Sequence, residues 1–259
     1  MKRLIAMGVA LIGLAAAWAA PAVAQTPTVQ ANRTFNGVYT IRARGVAAGD
    51  FALNLAITPT TYQGTMRQRA TGLVRLAVEN SLDYDGSARG AITATAIRPA
   101  TYTHQGGRRG RVVTVTYTAN DVVTEANPPM NMGNPPATRQ QKLGSTDQIS
   151  SFVHMMVAPG EADPCARTIR VFDGRARFDL VMRPNGTQNM RQRVFRGEAR
   201  RCTVSYRAIA GLTDAPPTGE NMTFLFGRLA NGLWAPLRIE WPTDDAGMAI
   251  LELRELTAT

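Results

Sequence analysis

Apolar and polar residues alternate strictly from 51 to 57, with Phe51, Leu53, Leu55 and Ile57 on one side and Ala52, Asn54 and Ala56 on the other. A period of two places successive side chains on opposite faces of a strand, so this stretch reads as a strand with one buried face. The same period recurs at Tyr39, Ile41 and Ala43, at Tyr62, Gly64 and Met66 set against Thr65, Arg67 and Arg69, and at Val113, Val115 and Tyr117 set against Thr114 and Thr116. Further runs lie at 191–209, at Met222, Phe224 and Phe226, at Leu237, Ile239 and Trp241, and at Ala249, Leu251 and Leu253. Between 70 and 104 the alternation is poorer, and Gly72, Gly86, Gly90 and Pro99 punctuate short runs in the manner of a meander. Asp173 and Gly174 stand between two alternating runs, which predicts a hairpin with a type I′ turn, a geometry with positive φ at both central residues. Pro242 to Gly247 reads as the loop joining the last two strands.

One segment has a helical period. Ile149, Phe152, Val153 and Met156 fall at i, i+3, i+4 and i+7, an apolar stripe that needs a surface to cover. Ser145 followed three places on by Gln148 predicts a capping box at its start, Asp147 suits a helix N-terminus, and Pro159 and Gly160 end it, giving a helix over 145–158. The preceding stretch, 127–144, holds Pro128, Pro129, Pro135 and Pro136 with two glycines, so it is expected to be a long loop, of the kind that serves as a lid or a binding loop or stays disordered. The fold class is therefore mainly β: a large antiparallel curved sheet or half-open barrel of about ten to twelve strands, with one helix packed on its concave face.

The first residues change the compartment. Lys2 and Arg3 precede an apolar run from Leu4 to Ala20, then Pro21 and the small triplet Ala22, Val23, Ala24. This is the pattern of a signal peptide over 1–24, cleaved between Ala24 and Gln25, and it directs the chain to the periplasm. A retained anchor is the rival reading, which the proline and the small-residue triplet disfavour. The mature chain is expected to comprise an N-terminal extension over 25–36 and a single β-rich domain over 37–256. No later segment is long and apolar enough to span a membrane, and the mature protein is expected to be a monomer.

Lys and Arg number 29 against 19 Asp and Glu, a net of +10 that falls to +8 once Lys2 and Arg3 depart. Such a surplus suits an anionic envelope surface, although the arginines are scattered without a block of like charge, as on an ordinary solvated surface. The only cysteines, Cys165 and Cys202, are expected to form a disulfide after export.

Candidates for chemistry are few. His104 lies in a stretch rich in glycine and arginine, and His154 falls off the apolar stripe, so both read as surface or hydrogen-bonded histidines. Asp173 is explained by its turn, and Asp179 reads as lying on the polar side of its strand. No metalloprotease, nucleophile-elbow or P-loop pattern occurs. The run Arg108–Arg111 reads as a hairpin tip, and without aromatic residues between the cations nucleic acid is not an expected partner. The expectation is no catalytic residues, no cofactor and no metal. Met130 and Met132 in the proline-rich loop, adaptable thioethers both, read as core filling or as part of an apolar binding surface.

The order of signals from Tyr39 to Leu253 resembles a bacterial family of exported proteins known as domain of unknown function 3108. The resemblance is carried by Gly49 ahead of Phe51, the step Thr71, Gly72, Leu73, Asp147 with Ser150, and Cys165 followed by Val171, Phe172, Asp173 and Gly174. It implies an exported β-rich domain and brings no catalytic residues. The layout is also similar to the half-open barrels of periplasmic lipoprotein carriers, in which a curved sheet wraps a helix and leaves an apolar groove. On that analogy Phe51, Leu53, Leu55, Ile57, Met66, Ile149, Phe152, Val153 and Met156 are expected to line a groove for a lipid or other apolar ligand. Two other readings stay open: an envelope protein that docks on a partner through a sheet edge, and a hydrolase whose site the sequence does not display.

Overall fold

Among the described residues, thirteen antiparallel strands follow one another around a single sheet. They are β1 (Arg33–Ala43), β2 (Val46–Ile57), β3 (Thr61–Ala70), β4 (Tyr84–Ile92), β5 (Ile97–Gly106), β6 (Arg111–Tyr117), β7 (Val122–Asn127), β8 (Arg167–Phe172), β9 (Arg177–Arg191), β10 (Arg196–Ala210), β11 (Asn221–Arg228), β12 (Trp234–Thr243) and β13 (Gly247–Ala258). Two helices, α1 (Arg139–Lys142) and α2 (Gln148–Val157), stand between β7 and β8. The structure is a computed structural model that describes residues 32–72, 74–75, 82–107, 110–159, 163–212, 221–243 and 247–259. The expected leader over 1–24 and its expected cleavage site at Ala24 and Gln25, together with Leu73, Arg108 and Arg109, lie outside the described residues.

The sheet order is β7-β6-β5-β4-β3-β2-β1-β13-β12-β11-β10-β9-β8, so β7 and β8 are its edges and the sheet is open between them. Each neighbour but one is its chain neighbour; the exception is β13, which returns to pair with β1 and joins the two halves. Helix α2 touches β3, β4 and β5 in one half and β8 and β12 in the other, which requires the sheet to coil around it. The sheet edges approach one another as well: the Tyr117 hydroxyl on β6 donates to the Phe172 carbonyl at the end of β8, 3.2 Å away.

The strand count exceeds the expected ten to twelve by one, and the differences are local. Gly86 and Gly90, expected to separate short runs, lie inside β4, where closely packed neighbours leave no room for a side chain: a Cβ on Gly90 would sit 2.3 Å from the Arg98 carbonyl oxygen. Strand β1 begins at Arg33, inside the stretch read as an extension, because its first residues pair with Ile57 and Ala56 of β2. The β1–β2 turn, Arg44–Gly45, has positive φ at both residues (50° and 78°), which is the type I′ condition. At Asp173–Gly174 the expected hairpin is present, but its turn is different. Only Gly174 has positive φ, and the Asp173 carboxylate organises the turn by accepting the backbone N–H groups of Arg175 and Ala176 at 2.8 and 2.7 Å.

The helix starts later than the pattern predicts. Its N-cap is Asp147, whose Oδ1 accepts the Ser150 N–H at 2.8 Å, and Ser145 and Thr146 remain extended. The cause is tertiary. Thr146 bridges Val171 in parallel, taking a 2.7 Å bond to the Arg170 carbonyl and receiving one of 2.8 Å from the Phe172 N–H, so it covers the exposed edge of β8 before the helix can begin. A capping box does occur, but in α1, between Thr138 and Gln141, within the segment expected to be loop throughout.

That segment seals the opening between β7 and β8. Arg139 Nε donates to the Asn120 carbonyl at 2.6 Å, and Lys142 Nζ donates to the Val122 carbonyl at 2.5 Å while lying over the Phe172 ring. On the other side Asn134 and Pro135 exchange backbone hydrogen bonds with Leu212 and Gly211 at the end of β10. The disulfide Cys165–Cys202 is formed and links the segment ahead of β8 to β10 across β9.

Candidate functional site

The nine residues expected to line an apolar groove are brought together, but they meet one another. Phe51, Leu53, Leu55, Ile57 and Met66 form one buried cluster with Ile149, Val153 and Met156, so the helix fills the concave face at this level. Phe152 is only half-buried, with its ring 6.0 Å from that of Phe51. The helix is buried on more than its apolar stripe, because Ser150, Ser151 and Met155 are also enclosed. Met130 packs against the same core from the loop side.

At its N-terminal end the helix carries polar groups into the interior, and the sheet answers with tyrosines. Asp147 is 0% exposed. Its carboxylate accepts the Ser150 N–H and, at 2.5 Å, the Ser150 hydroxyl, which in turn meets the Tyr62 hydroxyl of β3 at 2.5 Å. One residue along, Gln148 Oε1 accepts the hydroxyls of Tyr84 on β4 and Tyr102 on β5, at 3.0 and 3.2 Å. The His104 ring stacks on Tyr84 with centroids 5.1 Å apart. Burial raises the Asp147 carboxyl to a pKa of about 6 in spite of the hydrogen bonds from Ser150. It also raises Tyr62, Tyr84, Tyr102 and Tyr117, each pushed further by the charge of Asp147.

Both histidines, read as surface or hydrogen-bonded residues, are partly buried. Burial lowers both, with Asp173 opposing the shift at His104, and brings His154 to about 4 with the nearby Arg167 adding to the effect. Asp179 is likewise enclosed rather than solvated. It is 3% exposed, pairs with Arg177 at 2.6 Å and with Arg207, and the two guanidiniums hold it below the usual carboxylate range against the opposing effect of burial. It does lie on the polar side of its strand, opposite Arg170 and Arg207, and the loop accounts for its burial: Arg177 Nε donates to the Gln141 carbonyl at 2.9 Å, so α1 covers this face of β9. Arg111, read as part of a basic tip, donates its Nε to the Pro128 carbonyl at 2.9 Å and so holds the start of the loop.

Where the loop, the β4–β5 turn and the β6–β7 turn meet, a pocket of about 530 Å³ remains. Ile97, Pro99, Ala119, Val122 and Leu143 give it apolar walls, Tyr117 and Ser145 lie toward the helix start, and exposed Arg98 stands at its rim. The volume falls in the range of small-molecule sites, about 300–1,000 Å³. None of its residues was singled out from the sequence as a ligand contact, since they lie at strand ends, in turns and in the loop. A second depression, of about 570 Å³, lies on the outer face of β1–β5.

The architecture is that of an open, helix-filled β-barrel with a loop sealing its seam. The chain belongs to the family of proteins of unknown function DUF3108, whose model matches residues 38–254. Among solved structures it is similar to a beta-barrel-like protein of the domain of unknown function DUF1849 from Brucella abortus, at 10% identity and a TM-score of 0.44, over 90% of this chain and 99% of that one. No curated protein matches.

Proposed function

We propose that the protein is an exported, non-enzymatic binder of an amphiphilic molecule with an acidic head, held in the seam pocket. The observation that carries this reading is the pocket itself: apolar walls from Ile97, Pro99, Ala119, Val122 and Leu143, with the exposed guanidinium of Arg98 at the rim. An acyl chain would lie against the walls and an acidic head would face Arg98, an arrangement that buries apolar surface at about 25 cal/mol per Å² while leaving the charge wet. The leader-like start of the chain and the disulfide support a place outside the cytoplasm. This moves the expected ligand from the concave face, which α2 occupies, to the opening that α1 straddles.

The test is to strip the protein of lipid, incubate it with an envelope lipid extract, repurify it and identify what it retains by mass spectrometry. An acidic single- or double-chain lipid should be retained by the wild type and lost in Ala119→Trp, which fills the pocket from a loop position. Retention of no amphiphile by the wild type, or equal retention by Ala119→Trp, refutes the reading.

A further inference from the structure

The outer face of β1–β5 carries a second site of different chemistry. Asn36 stands opposite Asn54, Asn54 opposite Thr65, Thr65 opposite Ser87, and Ser87 opposite Thr103, so five consecutive strands contribute one short hydroxyl or amide each to a single transverse row. The neighbouring row adds Gln63, Arg89 and Thr101 in direct register. The two rows are the walls of the depression of about 570 Å³, and between them its floor is the backbone of Leu55, Gly64 and Ala88.

The floor is low for a reason on the other face. A Cβ on Gly64 would stand 2.7 Å from Ile149 Cγ2, so β3 comes closer to α2 than any larger residue would permit, and the outside of the sheet is drawn in behind it. Composition is the second observation. The chain holds 29 basic and 19 acidic residues, yet Arg89 is the one charged side chain among the described residues lining this groove. Arg89 is exposed and pairs with no described acidic residue.

We infer that this groove binds an extended glycan that carries a carboxylate. Short hydroxyls and amides both donate and accept, which suits the ring hydroxyls and amide substituents of a neutral sugar. A polyanion would need several cations, and the groove offers one. Strands repeat at about 4.8 Å across a sheet, a spacing close to the length of one pyranose ring, so successive sugars can address successive strands. Arg89 supplies the one fork for a carboxylate, flanked by the amide of Gln63 and the hydroxyl of Thr101.

The probes are a tetrasaccharide of alternating N-acetylglucosamine and N-acetylmuramic acid with free lactyl carboxylates, and the same chain with those carboxylates reduced to alcohols, each titrated by calorimetry and by backbone chemical-shift mapping. The acidic chain should bind with shifts confined to β1–β5 and be preferred by up to about fivefold, the ceiling for one exposed ion pair. Arg89→Gln should erase that preference and keep binding of the reduced chain. Ser87→Trp, an outward substitution verified by an unchanged melting temperature, should abolish binding of both, while Ala119→Trp should leave it intact, which separates this site from the seam pocket. No binding of either chain, shifts located elsewhere, undiminished binding by Ser87→Trp, or a preference that survives in Arg89→Gln would each overturn the inference.

Discussion

Replacing Asp147 with asparagine isolates a pair of titrations that oppose each other inside one helix. The folded chain holds Asp147 at about 6 against an ordinary 3.8, so between those values the folded state binds more protons than the unfolded state. Its contribution is fully present below the unfolded value and is lost as pH rises through about 6, a change of about two pH units or about 3 kcal/mol. His154 runs the other way. Burial and Arg167 bring it from 6.5 to about 4, so its contribution is full above 6.5 and is lost as pH falls through about 4, again by about 3 kcal/mol. Wild-type stability should therefore be nearly flat between pH 4 and 6.5, tilted by His104, which burial also holds neutral, and toward pH 4 by Asp179, whose contribution is lost as pH falls. Asparagine keeps an oxygen for the Ser150 N–H and, by placing an amide N–H toward Ser150 Oγ, lets that hydroxyl donate to Tyr62 instead. The variant should match the wild type near pH 4, exceed it by up to about 3 kcal/mol at pH 7, and gain stability steadily between. Urea denaturation at half-unit steps from pH 4 to 7.5 measures this. Parallel curves for the two proteins would show that Asp147 carries no buried charge.

Reduction of Cys165–Cys202, or Cys165→Ala with Cys202→Ala, should cost about 2–5 kcal/mol and lower the thermal midpoint, because the bridge closes a segment of 37 residues; an unchanged midpoint under reductant refutes it. Ile149→Ala should cost about 2–5 kcal/mol, as for a fully enclosed branched side chain, whereas Phe152→Ala, half-buried beside Phe51, should cost less; chemical denaturation that ranks Phe152→Ala above Ile149→Ala contradicts the packing described. Gly64→Ala should destabilise by about 1–3 kcal/mol because its Cβ would lie 2.6 Å from Leu55 Cδ2 as well as 2.7 Å from Ile149, and a neutral effect would mean that α2 does not press on β3.

Period-two alternation located β2, β3 and β6 because each has one face on the core and one in water, the condition under which pattern and burial coincide. It failed where both faces are covered or where covering is polar. On β9, Phe178 and Leu180 face the core opposite Val171 and Ile169, while Arg177 and Asp179 stand on the outer, polar face and are buried there because α1 places the Gln141 carbonyl over it and favours a guanidinium. The helix itself was legible, but its first turn was not, because Ser145 and Thr146 satisfy a capping pattern and a strand edge equally well and only the position of β8 decides between them. The tyrosine network was hidden for a related reason: Tyr62, Tyr84 and Tyr102 each count as one more apolar residue in an alternating run, and nothing local says that their hydroxyls converge.

A signal for the helix berth was nevertheless present in two glycines, Gly64 read as one position of an alternating face and Gly86 read as punctuation. Gly64 and Gly86 occupy inward positions of β3 and β4, and a Cβ on them would meet Ile149 at 2.7 and 3.4 Å respectively. An inward glycine weakens a strand unless another backbone or side chain fills the space it leaves. Two such residues on adjacent strands therefore mark where a packed element comes nearest the sheet, and the one helix with an apolar stripe is the element able to do so. The same close approach that buries Ile149 also brings Asp147, Gln148 and Ser150 within reach of tyrosines on β3, β4 and β5. A larger residue at 64 would have to push the helix away, lengthening those hydrogen bonds and raising the floor of the outer groove together, so the interior network and the exterior site depend on one missing side chain.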